Sequence, residues 1–347
     1  MDLNSIPLSK VVDIFGGKAL EKELAKLETA GLIPPSFKLK QGTSYKPAWK
    51  LNQLPLIGEK IGFLKKFSEP TALAIFTTKG GVLKSTCALN LARIAALHNL
   101  KTVVVGLDIQ CDISIALGHN KELQDDDKNI EDLMMKMSST RGLFDYFNQE
   151  VNLHDLILST DLPNLFLIPE TPELVVFNEA LSNINRREYW IRDKIVNPLK
   201  KEFDLIILDC SPNWNKLTTN ALVACDALIS PLECKITNFR NFKVFQHFLK
   251  EFQSDMKLDF EIIYIPTRFS PTKKLSKDIR KWYETNLRGC TKSAIRESIV
   301  GEESIALNLS FLEYSPQNIV SLEMVELLKE IFTKVENKIL SRNKVCH

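Results

Sequence analysis

A doubly wound α/β fold with a mostly parallel sheet, preceded by a small helical domain, follows from three features of the sequence. Six short apolar runs recur between residues 73 and 265, separated by stretches of helical periodicity. The runs are nearly continuous rather than alternating, as expected of strands buried on both faces and joined by helical crossovers. The first 67 residues lack such runs and carry their own charge balance, 11 Lys/Arg against 6 Asp/Glu, whereas the whole chain has a formal net charge of only +2.

Composition sets the frame. A length of 347 residues suits one large α/β domain with an appendage, and 44% hydrophobic with 25% charged residues is ordinary for a globular protein. A net charge near zero gives no global attraction to polyanions, so any such attraction must be local. The seven cysteines form no CxxC pair and several sit in apolar stretches, which reads as reduced thiols in a cytosolic protein rather than a disulfide frame or zinc site. The opening MDLNSIPLSK has no apolar core of a signal peptide, and no apolar run approaches the roughly 18 residues of a membrane span.

In chain order, residues 1–67 read as a small basic helical unit. KALEKELAKLETA (18–30) places Leu20, Leu24 and Leu27 on one helical face, and Gly31 stops it. Pro34, Pro35 and Gly42 punctuate a loop, and Trp49 to Leu64 is expected to form another short helix. KKFSEPT (65–71) reads as a linker, so the second domain is taken as 68–347. Its strands are LAIF (73–76), TVVVGL (102–107), LFLI (165–168), LIIL (205–208), ALIS (227–230) and EIIYI (261–265). The acidic stretch 121–150, with Asp125, Asp126 and Asp127, is expected to form a loop and a helix over the functional face.

The stretch TTKGGVLKST (77–86) lies between the first of these strands and a helix. That is the setting of a phosphate-binding loop, in which backbone amides and a helix N-terminus hold a polyanion. Gly80 and Gly81 give backbone freedom, Val82, Leu83 and Thr86 complete the cradle, Lys84 adds a point charge and Ser85 a hydroxyl for Mg²⁺. The standard pattern G-x-x-x-x-G-K-[ST] would require glycine at Thr78 and Leu83, so a plain glycine turn before a helix is the competing reading. The additional lysine, Lys79, decides between them. K-G-G-x-x-K-[ST] resembles the deviant Walker A loop of the ParA/MinD ATPases, a P-loop NTPase family, and the resemblance extends over residues 72–335. It implies that Lys79 reaches a partner subunit's nucleotide while Lys84 holds the chain's own phosphates. Leu83 departs from the glycine usual there.

GLDIQCD (106–112) is similar to the family's D-x-D-P-Q segment. The likeness makes Asp108 the carboxylate that orients the attacking water and matches Gln110 to the family Gln. Gly106 stands where the first Asp is common, and Ile109 replaces Pro. The plain alternative is a strand-end Asp capping the next helix. FDLIILDCSP (203–212) resembles a Walker B strand, with Asp209 contacting Mg²⁺ at the strand end, where ligands of open α/β sheets bind. Pro266 and Arg268 follow the last strand, near the family's adenine site. From Arg268 to Arg296 there are nine Lys/Arg and two Asp/Glu. Such a run is ordinarily a solvated face, but it resembles the surface by which relatives bind DNA without sequence preference, with Lys273, Lys274, Lys277, Arg280, Lys281 and Arg296 as candidates. KLETAGLIPP…GTSYKPAW is similar to the winged helix-turn-helix of plasmid-type ParA proteins, with Tyr45 in the wing; a small dimerisation unit is the other reading. The final helix (321–340), with Leu322, Val325, Leu328, Phe332, Val335 and Ile339, reads as a core-packing helix rather than a membrane anchor.

Together these resemblances imply a plasmid-type ParA ATPase of the cytoplasm and nucleoid that uses ATP and Mg²⁺. Its ATP-bound homodimer would bind non-specific DNA and be released when a ParB-type centromere-binding protein stimulates slow hydrolysis. The N-terminal domain would bind operator DNA and repress its own operon. Two rivals are kept: a MinD-like membrane-surface ATPase, which ATP-dependent liposome binding would reveal, and an iron–sulfur reductase, which would be coloured.

Overall fold

The structure is a computed structural model that describes residues 5–41, 43–119 and 140–345. Among the described residues, ten strands fall into two sheets. β1 (Ser5–Pro7), β2 (Phe37–Gln41) and β3 (Ser44–Lys50) form a small antiparallel sheet in the order β1-β3-β2. The other seven are β4 (Thr71–Ile75), β5 (Thr102–Leu107), β6 (Leu158–Ser159), β7 (Leu165–Ile168), β8 (Leu205–Cys210), β9 (Ala227–Glu233) and β10 (Glu261–Thr267), in the order β10-β9-β4-β8-β5-β7-β6. All neighbours are parallel except β6, which runs antiparallel to β7 on the edge. The six expected strands are all present. Two-residue β6 is too short to leave a periodic signal.

Alternate residues of each strand feed alternate cores. On β4, Leu73 and Ile75 join one hydrophobic cluster, and Ala72 and Ala74 the other. Helices Lys84–Leu97 and Ile319–Val345 cover the first face; Lys216–Ala224, Ile236–Asp255 and Lys274–Asn286 cover the second. This two-sided burial is why the strands are continuously apolar. The last helix packs into the core as expected, but its buried face is centred on Met324, Leu327, Leu328 and Ile331, and Leu322 is half exposed. Among the described residues, no helix is long and apolar enough to cross a membrane. Residues 120–139, including Asp125–Asp127, lie outside the described residues; of the expected loop and helix, Leu143–Phe147 is helical.

The N-terminal unit and the stretch that follows it correct three expectations. It is not purely helical: helices Leu8–Phe15 and Glu21–Thr29, joined through Gly16, Gly17 and a 3₁₀ turn, are followed by the β2–β3 hairpin. The helix expected from Trp49 begins only at Leu54, because Ala48 and Trp49 are drawn into β3, where the Trp49 indole is buried and donates to the Pro34 carbonyl at 2.8 Å. Nor is 65–71 a free linker. Phe67 stacks on Phe332 at 4.5 Å, Lys66 pairs with Asp204 at 2.8 Å, and the Ser68 amide donates to Glu336. Val11, Phe15, Leu54 and Ile57 share one hydrophobic cluster with Leu91 and Ala95 of the main body. Gly58 permits this approach: a Cβ there would lie 2.0 Å from the Leu97 carbonyl oxygen.

His98 sits at this junction, 2% exposed, with edge contacts to Phe15 and Phe63 and Nδ1 2.7 Å from the Ile94 carbonyl. Its Nε2 has no partner among the described residues. Burial, only partly opposed by the Ile94 hydrogen bond, lowers its pKa from 6.5 to about 4. The neutral ring is therefore the folded form, and the unfolded chain takes up the proton first as pH falls. Stability is expected to be unaffected above pH 6.5 and to drop by roughly 3 kcal/mol between pH 6.5 and 4 from this group alone. Urea unfolding at pH 7 and pH 4.5 checks this, and His98→Leu should show a correspondingly smaller acid loss.

Candidate active site

β8 lies between β4 and β5, and Asp209 is the register partner of both Ile75 and Gly106. The loops that leave β4, β5 and β8 therefore converge at one edge of the sheet, at the C-terminal ends of its strands.

The loop after β4 turns through left-handed backbone at Gly81 (φ 69°) and Leu83 (φ 72°) before the helix Lys84–Leu97 begins. The position filled by Leu83 thus demands the conformation that glycine adopts freely, at a cost on the order of 1–2 kcal/mol for a side-chain-bearing residue. Its side chain packs partly buried against the core, which offsets that strain. Gly80 and Gly81 have open space where a Cβ would stand, leaving the loop surface bare for a ligand. Arg268 braces the loop, donating from Nε to the Gly81 carbonyl at 2.7 Å.

Lys84 is 7% exposed and its ammonium donates to the Lys79 carbonyl at 3.3 Å. Lys79 turns the other way, pairing with Glu233 at the end of β9 and donating to Thr237 Oγ1 at 3.1 Å. Glu233 also holds Lys235 at 2.8 Å. Asp209 is fully buried, and neither carboxylate oxygen has a hydrogen-bond partner of full geometry among the described residues. Burial raises its pKa to about 7, against the opposing pull of the nearby Ser85 hydroxyl and Lys84. A buried carboxylate with open lone pairs beside a hydroxyl suits an incoming cation, which would supply the missing ligation. Asp108, 6% exposed, accepts from the Gln110 amide at 3.2 Å, so it folds its own turn rather than capping the helix Asp112–Ala116. Gln110 and Ile109 are exposed.

A cavity of about 430 Å³ adjoins the loop, lined by Leu83, Thr86, Arg268, Ile295, Ser298 and Phe311 among others. Arg268 borders it; Pro266 is buried in β10 and is not part of the lining. The basic stretch divides. Lys273, Lys274, Lys277 and Lys281 are exposed on or beside the helix Lys274–Asn286. Arg280 instead pairs with Glu284, bonds the Lys292 carbonyl and lies over the Phe269 ring, and Arg296 is held by both oxygens of Glu323.

Two carboxylates of this region were not singled out in the sequence. Glu233 ends β9 beneath Lys79. Glu170 follows β7, 4% exposed, and burial raises its pKa to about 8. Each is an acidic residue at or just past the C-terminal end of a strand, which is the signal that would have found it.

Residues 71–262 match the AAA domain family. The chain is 33% identical over 163 residues to a chromosome partitioning protein ParA of Myxococcus xanthus, covering 47% of this chain and 52%, about half, of that one. It is 28% identical over 217 residues to the chromosome-partitioning ATPase Soj of Treponema pallidum, covering 61% and 77%. In fold it resembles a putative plasmid partition protein of Borrelia burgdorferi solved with AMPPNP, with a TM-score of 0.63, 21% identity, and coverage of 77% and 100%. With residues 71–262 matching that domain family and these partition proteins among its relatives, the chain belongs to the ParA family.

Proposed function

We propose that the chain binds ATP with Mg²⁺, hydrolyses it slowly, and uses the cycle to partition DNA. The observation that carries this reading is the convergence of Lys84, Asp108 and the unpartnered carboxylate of Asp209 on one phosphate-type loop. Backbone amides of residues 80–86 cradle the phosphates and Lys84 neutralises their charge. Ser85 and Asp209 hold Mg²⁺, which when bound neutralises charge on the phosphate oxygens. Asp108 orients the attacking water, so that the chain's own contribution is positioning and charge stabilisation. The nucleoside occupies the cavity beside Leu83, Thr86 and Arg268.

In this reading two ATP-bound subunits close face to face and each Lys79 crosses to the partner's phosphates. The dimer binds non-specific DNA through Lys273, Lys274, Lys277 and Lys281. A ParB-type protein stimulates hydrolysis and releases it, in the cytoplasm and on the nucleoid. The N-terminal helices and the β2–β3 hairpin, with Tyr45 65% exposed near its tip, bind operator DNA. Arg280 and Arg296 are committed to internal pairs and contribute less to DNA binding than the four lysines.

The test is binding to a short non-specific duplex with ATP, with ADP and without nucleotide. Binding should be confined to the ATP state and fall steeply with salt. Substituting Lys273, Lys274, Lys277 and Lys281 with alanine together should flatten the salt dependence by about one unit of slope for each phosphate left unneutralised. Binding that ignores nucleotide would overturn the cycle.

A further inference from the structure

Resting on the ATPase reading above, we infer that Glu170 is a positioning residue. From the end of β7 it fills the space left by the missing side chain of Gly106 and clamps the helix Asp112–Ala116, and with it Asp108, at the edge of the site. Gly106 lies on β5, two residues before Asp108. A Cβ built on Gly106 would stand 2.2 Å from Glu170 Cδ and 2.6 Å from its Oε2. No side chain at 106 is compatible with Glu170 where it is, so the two residues form one unit across neighbouring strands.

The clamp itself is reciprocal. Glu170 Oε2 accepts from the Ser114 amide at 3.1 Å and from the Ser114 hydroxyl, while that hydroxyl accepts from the Glu170 amide at 3.1 Å. The helix it holds has five residues, far too few to persist on its own hydrogen bonds. Its far end is bolted separately, by Asn308 donating to the Ile115 and Ala116 carbonyls at 2.7 and 3.2 Å. Asp108 hangs from the near end: its carbonyl accepts from Cys111 N at 3.1 Å and its carboxylate from Gln110 N. Releasing Ser114 therefore loosens the turn that aims Asp108. A displacement of about 1 Å at a group that orients a nucleophile costs up to about 100-fold in rate.

A buried core carboxylate with no task would be disfavoured against an apolar residue of its size. The clamp needs one acceptor oxygen and no proton transfer, so an amide should replace it. That separates positioning from acid–base chemistry.

Three variants test the inference: Glu170→Ala, Glu170→Gln and Gly106→Ala, the last leaving the carboxylate in place chemically but evicting it sterically. In nucleotide-free protein, amide hydrogen exchange over residues 110–116 should quicken about tenfold or more in Glu170→Ala and Gly106→Ala and stay near wild type in Glu170→Gln. ATP turnover should fall about 10- to 100-fold in the first two with the dissociation constant for ATP within about threefold, and stay within about threefold in Glu170→Gln. Wild-type exchange and turnover in Glu170→Ala would overturn the clamp. Equal damage in Glu170→Gln and Glu170→Ala would overturn positioning in favour of a reacting carboxylate. Should the wild type hydrolyse no ATP, the proposed function fails, and the exchange measurement still decides whether Glu170 holds the helix.

Discussion

Lys84→Ala is expected to weaken ATP binding by about 10- to 100-fold and to reduce hydrolysis by at least about 100-fold, without loss of the fold. Lys84 is a nearly buried ammonium that donates to a loop carbonyl at 3.3 Å, a long contact for a charged donor, and it forms no salt bridge among the described residues. Such a group is costly to keep in the empty protein. Its removal should leave the melting temperature of nucleotide-free protein unchanged or raised. The same lysine opens a 14-residue helix that follows a loop left bare at Gly80 and Gly81, and a helix N-terminus of this kind favours a bound phosphate. Calorimetric titration with ATP and Mg²⁺, phosphate release, and thermal melting separate the effects. A variant that binds ATP within about threefold of wild type would mean that the loop does not cradle phosphate. Loss of binding together with a collapsed melting transition would mean that Lys84 is structural.

The body of the fold was legible because its strands are buried on both faces. Runs such as TVVVGL and LIIL carry no polar interruption, and both appear as central strands. The loop was legible because its chemistry is local: strand, glycines, lysine, hydroxyl and helix follow one another within the chain. What was not legible depends on contacts between distant segments. Residues 65–71 look like a linker from their charge, but Phe67 finds Phe332 and Ser68 finds Glu336, partners more than 250 residues away. Trp49 looks like a helix start until its indole reaches Pro34 and pulls the chain into β3. Arg296 reads as one more charge in a basic run, yet Glu323 neutralises it. Glu170 is the plainest case. Gly106 looked like a missing carboxylate in the sequence, whereas in three dimensions a carboxylate stands in that space, supplied by the adjacent strand. A pattern read along one strand has no access to a substitution made across two.

Lys79→Ala is expected to leave ATP binding within about threefold of wild type while abolishing hydrolysis and ATP-dependent DNA binding, a loss of about 100-fold or more if the lysine acts as a charge supplied to the partner's phosphates. The single chain adds a condition to that role. Lys79 is held within its own subunit, on Glu233 and Thr237, and it must leave both to cross an interface. Its departure is tolerable because Glu233 keeps Lys235 at 2.8 Å and has Arg268 at 3.9 Å, so a nearly buried carboxylate is not stranded. A partly exposed ion pair of this kind contributes about 1 kcal/mol, roughly a fivefold bias toward the parked lysine. Glu233→Gln removes the charge that parks it and should shift ATP-dependent dimerisation to severalfold lower protein concentration, seen by sedimentation, with Lys79→Ala showing no ATP-dependent dimer at all. The two variants thus move the same equilibrium in opposite directions. If Glu233→Gln instead weakened dimerisation, Glu233 would be guiding the lysine across the interface rather than holding it back. If Lys79→Ala hydrolysed ATP normally, each subunit would complete its own site, and the second lysine of the loop would be a structural tether to β9.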